Sequence, residues 1–114
     1  MRRSVICDRG DVAIVPFPFA DMAISKMRPA LVLSKRQFNE ENGNTVLAMI
    51  TTAKRSAWPS DVHLQEASAA GLHADCYVRW KIFTLPNDLL RRLAGALSTG
   101  DSVRVRNAAN GIFT

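Results

Sequence analysis

Short apolar runs, alternating or continuous and broken by proline, glycine and polar clusters, fill the first two-thirds of the chain. Asp11 to Phe17 (DVAIVPF) is rich in β-branched and aromatic residues, follows Gly10 and ends among Pro16 and Pro18, and so reads as a strand. Two prolines at alternate positions remove backbone donors, which places that end at a sheet edge or strand terminus. Ala20 to Met27 reads as a polar loop. Arg28 to Ser34 (RPALVLS) begins a second strand, apolar on both faces and therefore buried. Lys35 to Gly43 is polar and predicts one short helical turn. Thr45 to Thr52 (TVLAMITT) predicts a third strand, with Val46, Ala48 and Ile50 on one face and Leu47, Met49 and Thr51 on the other.

A basic loop, Ala53 to Ser60, follows. Asp61 to Gln65 (DVHLQ) and Cys76 to Trp80 (CYVRW) predict two more strands around the loop EASAAGL, and Leu90 to Leu97 a last one. Ser98, Thr99 and Asp101 offer N-cap chemistry for a terminal helix. Asn107, Asn110 and Gly111 are poor helix formers, so that helix is expected to be weak. Many short strands with one late helix predict a mainly β fold, a small, partly open barrel. There is no internal repeat, low-complexity tract or linker, and 114 residues fit a single domain spanning 1–114.

Composition narrows the function. Hydrophobic residues make up 47% and charged residues 22%, as in soluble globular proteins. A net charge of +5 suits a polyanionic partner, nucleic acid or acidic protein, although it also serves solubility alone. Arg2 and Arg3 lead into Cys7, Asp8, Arg9 and Gly10 with no signal-peptide core, and apolar runs such as Ala30 to Leu33 are too short to span a bilayer. A cytoplasmic protein with no membrane partner is expected. Cys7 and Cys76 form no CxxC pair and are expected as free thiols. His63, His73, Asp75 and Cys76 match no zinc spacing, so neither a metal nor a cofactor is indicated.

The stretch GDVAIVPFPFAD, then RPALVLS, then a strand ending in ITT resembles the MazF/PemK family of toxins from type II toxin–antitoxin systems. The similarity continues through AGL at Ala70 to Leu72, the segment YVRWKIFTL and the tail from Gly95. It covers nearly the whole chain in the expected order. The resemblance implies an SH3-like, partly open β-barrel of the CcdB/PemK type, usually a homodimer with single-stranded RNA along the dimer groove. It also implies a cognate antitoxin that inserts an acidic or amphipathic segment there, and operator DNA bound only by the toxin–antitoxin complex. The implied reaction is metal-independent endoribonuclease cleavage of mRNA by the substrate's own 2′-hydroxyl, leaving a 2′,3′-cyclic phosphate and a 5′-hydroxyl.

Two catalytic positions carry over by resemblance. The family's Arg-Pro arginine falls on Arg28, and the threonine ending the third strand falls on Thr51, with Thr52 beside it. One departure stands out: many members have Gly-Ser-Glu-Gln before Arg-Pro, whereas this chain has Ala23-Ile24-Ser25-Lys26, with no glutamate to act as a base. The chemistry fits the residue types. A phosphodiester aligned for in-line attack needs an oriented strand and a stabilised phosphorane. The arginine fork donates two parallel bonds to phosphate, and a residue before proline is held extended. A threonine hydroxyl can donate to a phosphate oxygen. Structural alternatives remain for both, a surface ion pair for Arg28 and packing or capping for Thr51.

Ser25 and Lys26 flank this pair and are expected to assist. Lys54, Arg55 and Trp58 set two cations near an aromatic ring, suited to a phosphate and a stacked base, or to a solvated turn with Trp58 plugging the barrel end. Arg79 and Lys81 are further RNA-binding candidates, whereas Arg91, Arg92, Arg104 and Arg106 read as charged surface. Guanidinium is a poor base, which keeps a rival histidine mechanism open at His63 or His73. His63 alternates with Val62 and Leu64 and is expected to face outward. Two non-enzymatic alternatives stand beside the nuclease: a barrel toxin of the gyrase-poison type acting by protein contact through Asn107 to Thr114, and a silent relative that only binds nucleic acid or antitoxin.

Overall fold

The computed structural model describes residues 5–17, 26–52 and 57–114. Six strands and two helices follow in the order β1 (Asp11–Phe17), β2 (Lys26–Val32), α1 (Arg36–Asn42), β3 (Asn44–Thr51), β4 (Val62–His63), β5 (Tyr77–Pro86), β6 (Arg92–Ala96) and α2 (Thr99–Phe113). All strand pairs are antiparallel, in one sheet of order β4-β5-β3-β2-β1-β6.

The sheet curls on itself. β4 and β6 stand at opposite ends of the strand order, yet the 3-10 turn Ala67–Ala70 and Gly71, just after β4, lie against β6. A Cβ placed on Gly71 would sit 2.1 Å from the Ala94 carbonyl oxygen, and one on Gly95 would sit 2.6 Å from the Ala70 carbonyl carbon. Gly71 also holds φ +75°, the left-handed region where a side chain is strained. Two glycines thus allow the backbones to touch and close a half-barrel.

Alternation sorts the sheet into two apolar faces. Leu31, Ala48, Ile50 and Val78 point into the curl, where Val105 of α2 and Leu64 complete the larger core. Ala13, Val15, Ala30, Val32 and Leu47 point to the other face, capped at one end by Cys7, Leu85 and Leu90. β2 contributes to both, so its unbroken apolar run is buried as expected.

Element boundaries depart from the sequence reading where tertiary pairing decides them. β1 has the expected limits, and Pro16 lies beyond the β6 pairing, which runs only from Asp11 to Ile14. β1 itself is interior, so Pro16 marks a terminus and not an edge, while Pro18 lies outside the described residues. β2 starts at Lys26, inside the expected loop. The expected single helical turn is the seven-residue α1, anchored by buried Asn39, whose amide donates to the Cys7 carbonyl (2.9 Å). β4 is shorter than Asp61 to Gln65, and β5 runs on to Pro86 through a register shift between Met49↔Arg79 and Ala48↔Ile82. β6 is trimmed to Arg92–Ala96.

The terminal helix is not weak. Ser98 accepts the Asp101 N–H (3.1 Å), and the fully buried Asp101 carboxylate accepts the N–H groups of Gln65 and Glu66 at 2.9 Å each. It also pairs with Arg104. Capping, this anchor and apolar packing override the low propensity of Asn107, Asn110 and Gly111 over a 15-residue helix. Cys7 and Cys76 are both free and buried, as expected.

Candidate nucleic-acid interface

Among the described residues, the second sheet face carries its apolar cap at one end, formed by Cys7, Leu85 and Leu90. At the other, the strand register assembles a row of side chains. Val15 pairs with Arg28 across β1 and β2, Thr51 with Tyr77 across β3 and β5, and Tyr77 with His63 across β5 and β4. The gap is bridged by register: Ala30 faces Met49 and Val32 faces Leu47, and extending this by two residues sets Arg28 across from Thr51. Arg28 shares its face with Ala30 and Val32, and Thr51 with Leu47 and Met49. Arginine and threonine therefore stand on adjacent strands, on one face and at one end of the sheet.

Their environments differ. Arg28 is exposed, and among the described residues no side chain hydrogen-bonds or ion-pairs with it. Pro29 follows it in β2, so its backbone is held extended by sterics as well as by pairing. Thr51 is 9% exposed, the last residue of β3 at this end. Lys26 is exposed two residues before Arg28 on the same face, opposite Phe17, whose ring packs against Phe83 at 5.3 Å. Thr52 is exposed just past β3.

Arg79 is in the right place but already engaged. Its Nε and Nη2 donate to the two Asp61 oxygens at 3.1 and 2.8 Å, and the residue is 6% exposed. Its guanidinium carbon lies 5.9 Å from the centre of the Trp58 ring, and the Trp58 backbone N–H donates to Asp61 (3.1 Å). Burial pushes the Asp61 carboxyl up, but the Arg79 guanidinium and the Trp58 N–H outweigh it and hold the group below the ordinary carboxylate range. Arg79, expected as an RNA contact, thus also ties Asp61 to the loop residue Trp58. Trp58 is 37% exposed and does not plug the barrel; the buried tryptophan is Trp80, whose Nε1 donates to the Ser60 carbonyl (3.0 Å). Ser25, Lys54 and Arg55 lie outside the described residues.

Asp61, Tyr77 and Asp75, three members of this neighbourhood, were not read from the sequence as part of it. Asp61 was visible only as a strand start. Tyr77 could have been found, since alternation in CYVRW puts Tyr77 and Arg79 on one face and Val78 on the other. His63 faces outward as expected, but its Asp75 partner (2.5 Å) lies 12 residues away and carries no local signal. His73 is exposed, away from these pairs in sequence.

A family profile described as the PemK-like, MazF-like toxin of type II toxin–antitoxin systems matches residues 8–113. The chain belongs to this toxin family. Comparison with curated proteins gave no match. Among solved structures, the PemK/MazF-type chain is similar to MazF in a MazE–MazF complex from Deinococcus radiodurans, with a TM-score of 0.75 and 19% identity, covering 95% of this chain and 96% of that one. It is also similar to a mycobacterial endoribonuclease in complex with its cognate antitoxin (TM-score 0.71, 20% identity, 93% and 91% covered). The Mycobacterium tuberculosis toxin MazF-mt6 aligns with a TM-score of 0.72 at 23% identity over 90% of this chain and 95% of that one. At these identities the likenesses establish the fold, the half-barrel with its C-terminal helix that the MazF/PemK resemblance implied.

Proposed function

We propose that this toxin is a metal-independent endoribonuclease that cuts single-stranded RNA through the substrate's own 2′-hydroxyl. The observation that carries the reading is the Ala30↔Met49 and Val32↔Leu47 register, which, extended by two residues, aligns exposed Arg28 with Thr51 at one end of a sheet face. In the reaction the 2′-oxygen loses its proton and bonds to phosphorus, the bond from phosphorus to the 5′-oxygen breaks, and that oxygen takes up a proton. The products are a 2′,3′-cyclic phosphate and a 5′-hydroxyl.

Arg28 supplies two parallel donors and a permanent charge to the phosphorane, which carries more negative charge than the ground state. Thr51 offers its hydroxyl to a non-bridging oxygen from a largely buried strand end, which helps to orient the substrate strand. Lys26 and Thr52 lie where flanking phosphates would run, and Trp58 offers a ring to a base. Ser25, Lys54 and Arg55 belong to the same proposal through the sequence alone. The absence of a loop glutamate means that the proton is taken by a group other than the family's loop acid.

A cognate antitoxin, a homodimer in solution and operator DNA bound only with the antitoxin complete the reading. The antitoxin is supported by the family and by the complexes in which the similar MazF chains were solved. The test is incubation of the purified chain with end-labelled single-stranded RNA in EDTA. Discrete fragments bearing cyclic-phosphate and 5′-hydroxyl ends are expected. Intact RNA, or cleavage only with an added divalent ion, overturns the reading.

A further inference from the structure

Two rings of the row remain unexplained by phosphate chemistry. His63 on the edge strand β4 and Tyr77 on β5 are cross-strand partners, and their rings stack with centroids 4.7 Å apart and planes 22° from parallel. Neither belongs to a buried apolar cluster. His63 is exposed and Tyr77 half-buried, so π surface is held in water at the sheet edge. Asp75 fixes the imidazole, with 2.5 Å between its Oδ1 and His63 Nε2. A stack whose only role was cohesion would gain more by being covered.

We propose that the His63–Tyr77 stack is a platform for one nucleobase of single-stranded RNA, next to the phosphate held at Arg28 and Thr51. The inference rests on the RNA-cleaving reading above and adds a base subsite to it. Tyr77 is the register partner of Thr51, and His63 lies one strand further, two strand steps or about 10 Å from Thr51. A base attached to a ribose beside the bound phosphate spans that distance. Charge sorts the two halves of the row. Lys26 and Arg28 attract phosphate, whereas the Asp75 carboxylate beside His63 repels it and leaves the uncharged base as the fitting occupant. Stacking needs only a ring face and tolerates every base, so the platform sets where a strand lies before any edge is read.

The test is binding of fluorescein-labelled, 2′-O-methyl single-stranded RNA 12-mers that together contain every trinucleotide and cannot be cleaved at the 2′ position. His63→Ala and Tyr77→Ala are each expected to weaken the tightest complexes about tenfold. His63→Phe, which keeps a ring and loses the imidazole nitrogens, is expected to bind within about twofold of wild type. Phe38→Ala, which removes an exposed ring on α1, is expected to change nothing. Thermal melting of each variant separates loss of fold from loss of binding. If folded His63→Ala and Tyr77→Ala bind like wild type while Arg28→Ala fails to cleave, the platform is wrong and the nuclease stands. If folded His63→Phe is as weak as His63→Ala, the imidazole acts by its nitrogens and stacking is overturned. If neither alanine variant folds, His63→Leu and His63→Phe carry the test: the platform requires His63→Leu, which keeps apolar bulk but has no ring, to bind more weakly than His63→Phe, and equal binding overturns it. A wild-type chain that binds none of the RNAs overturns both readings.

Discussion

Two arginines on one sheet face show what a single residue's surroundings decide. Arg28 is exposed at the strand end, whereas Arg79 is clamped on Asp61 and covered by Trp58. Their sequence contexts, an arginine before proline and an arginine inside an apolar strand, distinguished the first but left the second as one more cation. The carboxylate that neutralises Arg79 sits 18 residues away, and no spacing rule links them. Removing it takes away the two-oxygen acceptor of a guanidinium that is 6% exposed. Asp61→Ala is therefore expected to cost on the order of 3 kcal/mol in urea unfolding. Asp61→Ala with unchanged stability would mean that the pair is held loosely in solution and that Arg79 is free for RNA after all.

At the scale of elements, local chemistry and long-range pairing divided the outcome. β1 was legible to the residue because its turn signals bound it on both sides. The limits of β4, β5 and β6 were not, since partners elsewhere in the sheet set them, and a register shift carries β5 past its apolar stretch. α2 was underrated because its anchor, the two backbone N–H groups received by Asp101, lies in a loop 35 and 36 residues earlier. The closure of the half-barrel depends on Gly71 against Ala94. Gly71→Ala drives a methyl into a backbone oxygen and strains a left-handed φ at once. It should cost on the order of 3 kcal/mol and lower the melting temperature by roughly 10 to 20 °C. A melting temperature equal to wild type would show that β6 and the turn part easily, and that the curl does not rely on this contact.

For the whole molecule, ionisation sets the limits of stability. The fold depresses the Asp61 carboxyl, so its ionised form stabilises above about pH 4, and that contribution is lost as pH falls through the lower folded value. Burial, with the Asp11 charge adding to it, raises the Cys7 thiol from 9.0 to about 11. The fold favours the neutral thiol, so its contribution is full below about pH 9 and is lost as pH rises toward 11. Wild type should lose more stability between pH 7.5 and 10.5 than Cys7→Ala, by urea titration at both values; equal losses would place the alkaline limit elsewhere.

The site was legible in part for the same reason as the fold. Arg28, Thr51 and Lys26 are read from strand ends, but their alignment is a property of register between β2 and β3, and the His63–Tyr77–Asp75 group needs β4 to meet the segment that carries both Asp75 and Tyr77. The account's central claim is that Arg28 and Thr51 act on one phosphate. The most direct test is the single-turnover rate of RNA cleavage by Arg28→Ala in EDTA. Because Arg28 is exposed and packs into neither core, the variant should melt within a few degrees of wild type, while cleavage falls by about a hundredfold or more. Cleavage by folded Arg28→Ala at the wild-type rate would contradict it.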